Sequence, residues 1–529
     1  MHKCIEKFKK NRYLWLVVGA LFILGIFLRT YKYHDLLRFN ADQGRDSELV
    51  SDVINGKTAL PLLGPKAGGT TFKLGPIFYY FQIISAKVLG NYPDKMAYPD
   101  LFAGILCIPL LYFFLRKYFD WEISLAMAGI FCVSEFAIRW ARFAWNPNST
   151  PFWILIVLYS LHELVSKKNK RKFLWALICG LAVGVGIQLH SMLLFSLPIT
   201  LVIIFGYLLI KKNKAWKYFF VIFAMVLLLN ASQILYEYSS GGENTRAFLA
   251  GMQKKESSQG TLIENFWHGN SALAQIVPNI LTGYEISDGF AVEFNKKHSA
   301  DVAVVVLGAL FTLGGLVLFA RYLRKEKDVD KKAFLGIIAI YSIIAYLIFA
   351  KLSFETSVRM YLVIFFVPYF LLGFWLKFLR EKNQKRWLVG FLSVIIFFIA
   401  INLFFDKAYF TEFEGYEKGS GSVNISTLGG MEVFSQFIAK YSNNEPEAYI
   451  SGNKKFFFIN YSPLRYLMSN GNIKLTLIGT KEIRSLTVKR FFYIALENKL
   501  NELATDPDYK VIQSKQHGKF TIFLLEKKP

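Results

Sequence analysis

The sequence predicts an all-α polytopic membrane protein with about eleven transmembrane helices, followed by a small C-terminal α/β domain outside the membrane. Three observations predict it. Hydrophobic residues make up 54% of the 529 positions and aromatic residues 17%, including 51 Phe, while charged residues reach only 19%; a soluble domain carries roughly 25%. The charges are also segregated, with long apolar runs alternating with short Lys/Arg clusters, and an apolar run of about 18 residues or more reads as a spanning helix. From residue 406 onward the long apolar runs stop and short strand-like runs replace them. The net charge of +24 would suit nucleic acid. Here the Lys and Arg stand beside the apolar spans, where the positive-inside bias places them, so nucleic acid is excluded as a partner.

The candidate spans are 13–28, 75–90, 98–115, 122–141, 150–165, 173–190, 192–210, 216–236, 301–320, 333–350, 359–379 and 387–405. Basic clusters fall at 7–12, Arg116-Lys117, 167–172, 211–217, 321–332 and 377–386. If all are cytoplasmic, each interval between them holds an even number of crossings. Only the first interval fails, with three runs. Its weakest run, 75–90, is short and contains Lys87, and it is expected to lie at the outer surface without crossing. The protein is then a multi-pass protein of the plasma (inner) membrane, its N-terminus cytoplasmic and its C-terminus extracytoplasmic. The run 13–28 follows Lys7, Lys9, Lys10 and Arg12 without a small-residue cleavage site, so a retained helix is expected rather than a signal peptide.

This gives a membrane domain, 1–405, with two large outer loops at 29–97 and 237–300, and an extracytoplasmic domain, 406–529. In the tail, EAYISG, IKLTLIG, FFYIAL and the pair YKVIQS and KFTIFLLE read as strands. Met431–Tyr441 and Pro463–Ser469 read as helices between them. Cys107, Cys132 and Cys179 lie in apolar spans, Cys4 near the start, and no C-x-x-C pair occurs, so neither a disulfide framework nor a thiolate metal site is implied. The lack of cysteine outside the membrane suits a prokaryotic cell envelope.

The densest polar stretch is FNADQGRDSELVSDVINGK (39–57), with Asp42, Arg45, Asp46 and Asp52. From Gln43 to Ile54 it suits an amphipathic helix on the membrane surface, with Asp42 at its start. Asp42 is therefore either an N-cap or a functional carboxylate. Downstream, Lys66, Lys73, a Gly68-Gly69 turn and an aromatic cluster supply cations and backbone N–H groups that suit a phosphate; flexible turn material and snorkelling lysines are the plainer account. Arg139 and Arg142 stand three apart at the outer end of a span, against the positive-inside bias, as ligands or as anchors. Glu135 lies inside that span, a costly place for a carboxylate unless it pairs, for example with Arg139. His190 falls at an outer turn, and Arg359 follows Glu355, either of which is a ligand candidate or a structural residue. No P-loop, H-E-x-x-H or G-x-S-x-G occurs.

Taken in order, these residues resemble the GT-C membrane glycosyltransferases, with protein O-mannosyltransferases and the aminoarabinose transferases of lipid A as the nearest in pattern. The resemblance covers roughly residues 10–240 and is carried by Asp42-Gln43-Gly44-Arg45 after the first span, by Gly75-Pro76-Ile77-Phe78-Tyr79-Tyr80, and by the Arg139/Arg142 segment outside a later span. It implies Asp42 as the catalytic carboxylate and Arg45 as a ligand of the donor phosphate, with Tyr79 and Tyr80 in the second motif and Arg139 and Arg142 in the third; Asp46, Lys66, Lys73, His190 and, beyond the stretch it covers, Arg359 join the substrate-binding set from the reading of the residues themselves. Three departures stand out. Gln43 replaces an acidic residue, Leu74 takes a Lys/His slot with Lys73 one place earlier, and Asn146 and Asn148 stand where the oligosaccharyltransferase branch has metal-binding carboxylates. The resemblance with those asparagines implies a metal-independent enzyme without cofactors.

Such an enzyme moves a sugar from a polyprenyl-phosphate donor to a lipid, polysaccharide or protein acceptor on the outer face. Cations would hold the leaving phosphate, Asp42 would take the acceptor proton, and one displacement would invert the anomeric centre. The competing class is a lipid or sugar transporter or flippase, which shares the many spans. Transporters tend to show internal repeats and paired broken helices, and the sequence shows neither.

Overall fold

The computed structural model of the chain describes residues 12–257, 260–285, 299–352, 356–382, 386–417, 426–442, 445–479, 482–485, 488–496 and 506–528. Helix α1 (Arg12–Thr30) leads into the short helices α2 (Ala41–Ile54) and α3 (Ile77–Leu89). The bundle continues through α4 (Tyr98–Leu115), α5 (Trp121–Cys132), α6 (Glu135–Ala141), α7 (Thr150–Val165), α8 (Lys172–Leu189) and α9 (Ser191–Ile210). Next come α10 (Tyr218–Leu229), α11 (Ala231–Ser239), α12 (Glu243–Ser257) and α13 (Leu262–Thr282). The bundle closes with α14 (Ser299–Lys325), α15 (Val329–Lys351), α16 (Phe366–Lys382) and α17 (Trp387–Glu417).

Among the described residues six helices are long and apolar enough to cross a membrane, or nine if each of three bent pairs is one span. The pairs break between α5 and α6 by 55°, between α10 and α11 by 59°, and before α16 by 55°. The shorter apolar helices are α1, α3 and α7. Eleven crossings are reached by adding α1 and α7 and leaving α3 aside. Helix α3 has 13 residues, about 20 Å of helix against a hydrocarbon core of ~30 Å, and packs on α2 and the turn Pro93–Met96.

Two expectations need correction. The segment 237–300 was expected as a loop, yet its described part is largely helical. Helix α13 opens with a capping box of Thr261 and Glu264 and buries Gly269, Ala272, Ile276 and Ile280 against the bundle. Its apolar residues recur at helical spacing between Ser, Asn and Gln, so its mean polarity hid a one-sided apolar stripe. The boundary expected at 405 also falls inside α17, which runs on to Glu417.

The C-terminal residues form a five-stranded sheet in the order β2-β1-β3-β5-β4, made of β1 (Glu447–Gly452), β2 (Lys474–Leu477), β3 (Arg490–Leu496), β4 (Tyr509–His517) and β5 (Phe520–Lys527). Strands β1, β2 and β3 are parallel, and β5 runs antiparallel to both β3 and β4. Helices α18 (Leu428–Tyr441) and α19 (Lys454–Asn470) complete it. The central strand β3 is buried over Phe491–Ala495, which is why it reads as a continuous apolar run.

This domain docks on the start of the bundle through backbone. Phe39 N–H donates to Ser426 O at 2.9 Å, and Leu428 N–H to Leu37 O at 2.9 Å. Helix α19 crosses α2 at Gly44, where an added Cβ would lie 2.4 Å from Pro463 N. Arg465 pairs with Glu48, and His34 lies between Asp94 (3.2 Å) and Glu432 (3.1 Å).

Inside the bundle two buried arginines exchange places as caps. Arg29 of α1 donates to Cys132 O at 2.7 Å and Phe131 O at 3.3 Å, the carbonyls freed where α5 breaks from α6. Arg142, just past α6, donates to Leu28 O (3.1 Å), Arg29 O (3.0 Å) and Tyr31 O (2.7 Å), the carbonyls left at the end of α1. Without water, such acceptors need partners from the protein. Replacing Arg142 by Met should lower the melting temperature in detergent by several degrees, since each buried acceptor left unpaired costs about 1–3 kcal/mol. An unchanged melting temperature would show that these caps carry no stability.

Candidate functional site

Helix α2 organises the site. Its N-cap is Asn40, whose side chain accepts from Asp42 N–H at 3.2 Å while Gln43 Oε1 accepts from Asn40 N–H at 3.3 Å, a complete capping box. The cap that was one of the two readings of Asp42 is therefore filled by Asn40, two residues earlier. Asp42 stands in the first turn with its side chain 45% exposed. Gln43 Nε2 donates to Ala144 O at 2.9 Å and ties α2 to the turn that follows α6.

Arg45 bridges two aspartates. Its Nη1 donates to Asp42 Oδ1 at 2.9 Å, and its Nε and Nη2 donate to Asp46 Oδ1 at 3.0 and 2.8 Å. Asp46 is buried and also accepts from Tyr79 Oη at 3.0 Å. Burial pushes the Asp46 carboxyl up to about 6, against the pull of the Arg45 guanidinium. The Tyr79 hydroxyl is pushed upward as well, by burial and by the Asp46 charge.

A cavity of about 540 Å³ opens beside Asp42 and Arg45. Lys66, Asn146, His190 and Arg359 reach its wall. Lys66 is placed by a small hairpin in which Ala67 N–H donates to Phe72 O at 2.8 Å and Leu74 N–H to Pro65 O at 2.9 Å. Gly69 makes its turn at φ +74°, a left-handed angle that favours glycine. His190 caps α9, its Nδ1 accepting from Met192 N–H at 3.1 Å, so the neutral ring carries its proton on Nε2. Arg359 stacks over the Trp145 ring, 4.7 Å from the centroid; its sequence neighbour Glu355 lies outside the described residues. Three cations, Arg45, Lys66 and Arg359, thus face the cavity with one carboxylate, Asp42.

The other candidates lie elsewhere. Lys73 pairs with Lys66 across the hairpin, and its backbone is held by Asn244 at 2.8 and 2.9 Å. Tyr80 Oη donates to Pro61 O at 2.9 Å. Arg139 donates to Glu135 and Glu285, both at 2.7 Å, so Glu135 has its pairing partner one turn away. Arg142 is spent on carbonyls, as described. Trp145 supplies the ring under Arg359, and its backbone N–H donates to Asp100 Oδ2 at 3.1 Å. Sequence reading missed Asn40, whose Asn-x-x-Gln spacing to Gln43 was the available signal. It also missed Asp100, whose place inside the candidate span 98–115 was the available signal. Among the described residues no three His, Cys, Asp or Glu side chains gather as a metal site.

With this geometry in hand, comparison is direct. A family model described as dolichyl-phosphate-mannose-protein mannosyltransferase matches residues 73–235. No curated protein matches the chain in sequence. The crystal structure of ArnT from Cupriavidus metallidurans bound to undecaprenyl phosphate superposes with a TM-score of 0.63 at 12% identity, covering 97% of this chain and 98% of that one. Its apo form gives 0.60 at 11% identity with the same coverage. The Archaeoglobus fulgidus oligosaccharyltransferase tethered with an acceptor peptide gives 0.54 at 12% identity, covering 93% of this chain and 70% of that one. Over more than nine-tenths of its length the chain has the fold of ArnT and of the archaeal oligosaccharyltransferase, and residues 73–235 carry the match to the mannosyltransferase family. Among the solved structures it is similar to ArnT over nearly its whole length.

The Asp46 position has a pH consequence. A carboxyl held near 6 is charged at pH 7 and takes up a proton as pH falls through that value, so Arg45 loses its buried counter-charge below about pH 6. KM for the sugar donor should rise between pH 7 and pH 5. In Asp46→Asn it should already be raised at pH 7 and vary less with pH. A donor KM that is flat with pH in the parent would remove Asp46 from this role.

Proposed function

We propose that the chain transfers a sugar from a polyprenyl-phosphate donor to an acceptor on the extracytoplasmic face, with inversion and without a metal. One observation carries the reading: among the described residues a single carboxylate, Asp42, shares a cavity of about 540 Å³ with Arg45, Lys66 and Arg359. Cations fixed around a leaving phosphate stabilise the charge that develops on it. A carboxylate beside them can accept the acceptor's hydroxyl proton. His190 and Asn146 complete the wall with hydrogen-bonding groups.

A single displacement suits the two aspartates. Asp46 is committed to Arg45 and Tyr79, which leaves Asp42 as the one carboxylate lining the cavity among the described residues, whereas a retaining route needs two working carboxyls about 5 Å apart. Metal independence is supported by the donor set: Asn146 lines the cavity and Asn148 binds Phe143 O at 2.7 Å, while a hard divalent cation would favour carboxylates. The orientation rests on charge. Arg116, Lys117, Lys168, Lys331 and Lys377 gather at two other cavities away from Asp42, and the positive-inside bias puts that end in the cytoplasm. The C-terminal domain of α18, α19 and the five-stranded sheet then lies outside with the site, its α19 packed on α2. The acceptor class, whether lipid, polysaccharide or protein, would be met at that surface, and the donor's polyprenyl chain would lie in membrane lipid.

The test is Asp42→Asn. Asn40 remains as the cap, so folding and donor binding should stay near normal. Turnover from a polyprenyl-phosphate sugar should fall by about 10²-fold or more. Turnover within a few-fold of the parent would place the base elsewhere. Separately, EDTA should leave turnover unchanged; loss on EDTA with recovery on Mg²⁺ or Mn²⁺ would overturn metal independence.

A further inference from the structure

At the basic end of the bundle two cavities of about 510 Å³ each open side by side, sharing Arg116 and Lys331. Most of the carboxylates there are already engaged. Asp120 and Glu122 bind Arg380, Glu381 accepts from Tyr322 Oη at 2.8 Å, Glu163 binds Lys117, and Asp328 and Asp330 bind Lys168 at 3.6 and 3.2 Å. Five cations lining these cavities have no ion-pair partner among the described residues, Arg116, Lys170, Arg171, Lys331 and Lys377, and three of them, Arg116, Lys331 and Lys377, line the cavity at Tyr118. Arg116 donates to Phe119 O at 2.7 Å. Lys377 donates to Tyr118 Oη at 3.1 Å and stands 4.5 Å from the centre of that ring, with Lys331 at 5.8 Å from the same ring.

Two ammonium groups at one tyrosine ring, with the guanidiniums of Arg116 and Arg380 on the same cavity wall, outnumber the carboxylates of Asp120 and Glu381 that also line it, and the excess positive charge attracts a further anion. The chemistry that answers such a cluster is a phosphate, with several acceptor oxygens for Lys and Arg donors. The rim indicates where that phosphate comes from. Phe113, Trp121 and Leu379, exposed by 56%, 39% and 43%, flank Arg116, Asp120 and Arg380 in sequence and offer apolar surface for acyl chains. Basic pockets between spanning helices are a general means of holding anionic headgroups.

We propose that this trough binds the phosphate of an anionic membrane phospholipid, with Arg116, Lys331 and Lys377 as its ligands and Tyr118 as the platform that orders the two lysines. The site is separate from the cavity at Asp42 and stands whether or not the reading of that cavity holds.

The test uses the full-length protein in a neutral detergent, with the melting temperature followed against added dioleoyl phosphatidylglycerol, dioleoyl phosphatidylcholine or inorganic phosphate. Phosphatidylglycerol should raise it saturably, and the other two should not. Arg116→Gln with Lys331→Gln removes two ligands yet leaves the Lys377–Tyr118 contact, and should weaken apparent affinity for phosphatidylglycerol by about tenfold or more. Lys211→Gln with Lys214→Gln removes the same charge from a separate basic turn and should leave affinity unchanged. Lys331→Arg, which keeps the charge, should stay within a few-fold of the parent. Equal stabilisation by inorganic phosphate, equal loss in the Lys211/Lys214 pair, or no stabilisation of the parent would each overturn the proposal. A double variant too unstable to titrate would be replaced by Lys331→Gln alone, whose parent-like affinity would also overturn it.

Discussion

The structure depends on the exchange of caps between Arg29 and Arg142. A helix that breaks or ends within a bundle frees carbonyls, and hydrocarbon offers them no donor. Arg29 reaches from α1 to the break after Cys132, and Arg142 reaches from beyond that break to the end of α1. Each arginine meets the other helix's need, so the end of α1 and the turn at 143–146 are fixed to each other. Everything at the site hangs from these two places. Helix α2 follows α1 after a short turn, and its Gln43 bonds to Ala144 O in the 143–146 turn.

From that anchor the site is assembled by contact between units far apart in sequence. Gly44 lets α19 of the C-terminal domain lie against α2 with no side chain between them, and Glu48 takes Arg465. The hairpin at 65–74 is held from behind by Asn244 and by Phe72 against Phe248, ring centres 5.0 Å apart. The domain thus braces the helix that carries Asp42 and Arg45, and α12 braces the hairpin that carries Lys66. Within this frame Asp46, under burial, sets the guanidinium of Arg45 toward Asp42 and the cavity.

The charge of the chain is spent in three ways that composition alone treats as one. Some arginines, such as Arg29 and Arg142, cap backbone in the interior. Others pair with carboxylates, as Arg139 does with Glu135 and Glu285. A third group, Lys66 and Arg359 at the Asp42 cavity and Arg116, Lys331 and Lys377 at the Tyr118 trough, lines a cavity without an ion pair among the described residues and is left to attract anions.

The sequence by itself determined the layers. Apolar runs and basic clusters located most helices of the bundle, and β-like runs located all five strands of the tail, four within two residues at each end and β4 three residues short at its end, because hydrophobic period and charge placement are local properties that a chain carries unfolded. It also supplied the inventory of the site in the short stretch 42–79. What only the tertiary structure decided is which of these groups remain available. Arg142 and Arg359 both flank spans and looked alike in sequence. One is drawn into carbonyls of α1 and the other is stacked on Trp145 at the cavity wall. Asp42 was a cap or a reactive group until Asn40 filled the cap, and α13 was a loop until its one apolar stripe met the bundle. The physical reason is common to all three: a hydrogen bond or a buried face is satisfied by whichever partner folding brings within about 3 Å, and that partner is distant in sequence or one position away from the residue that composition favours.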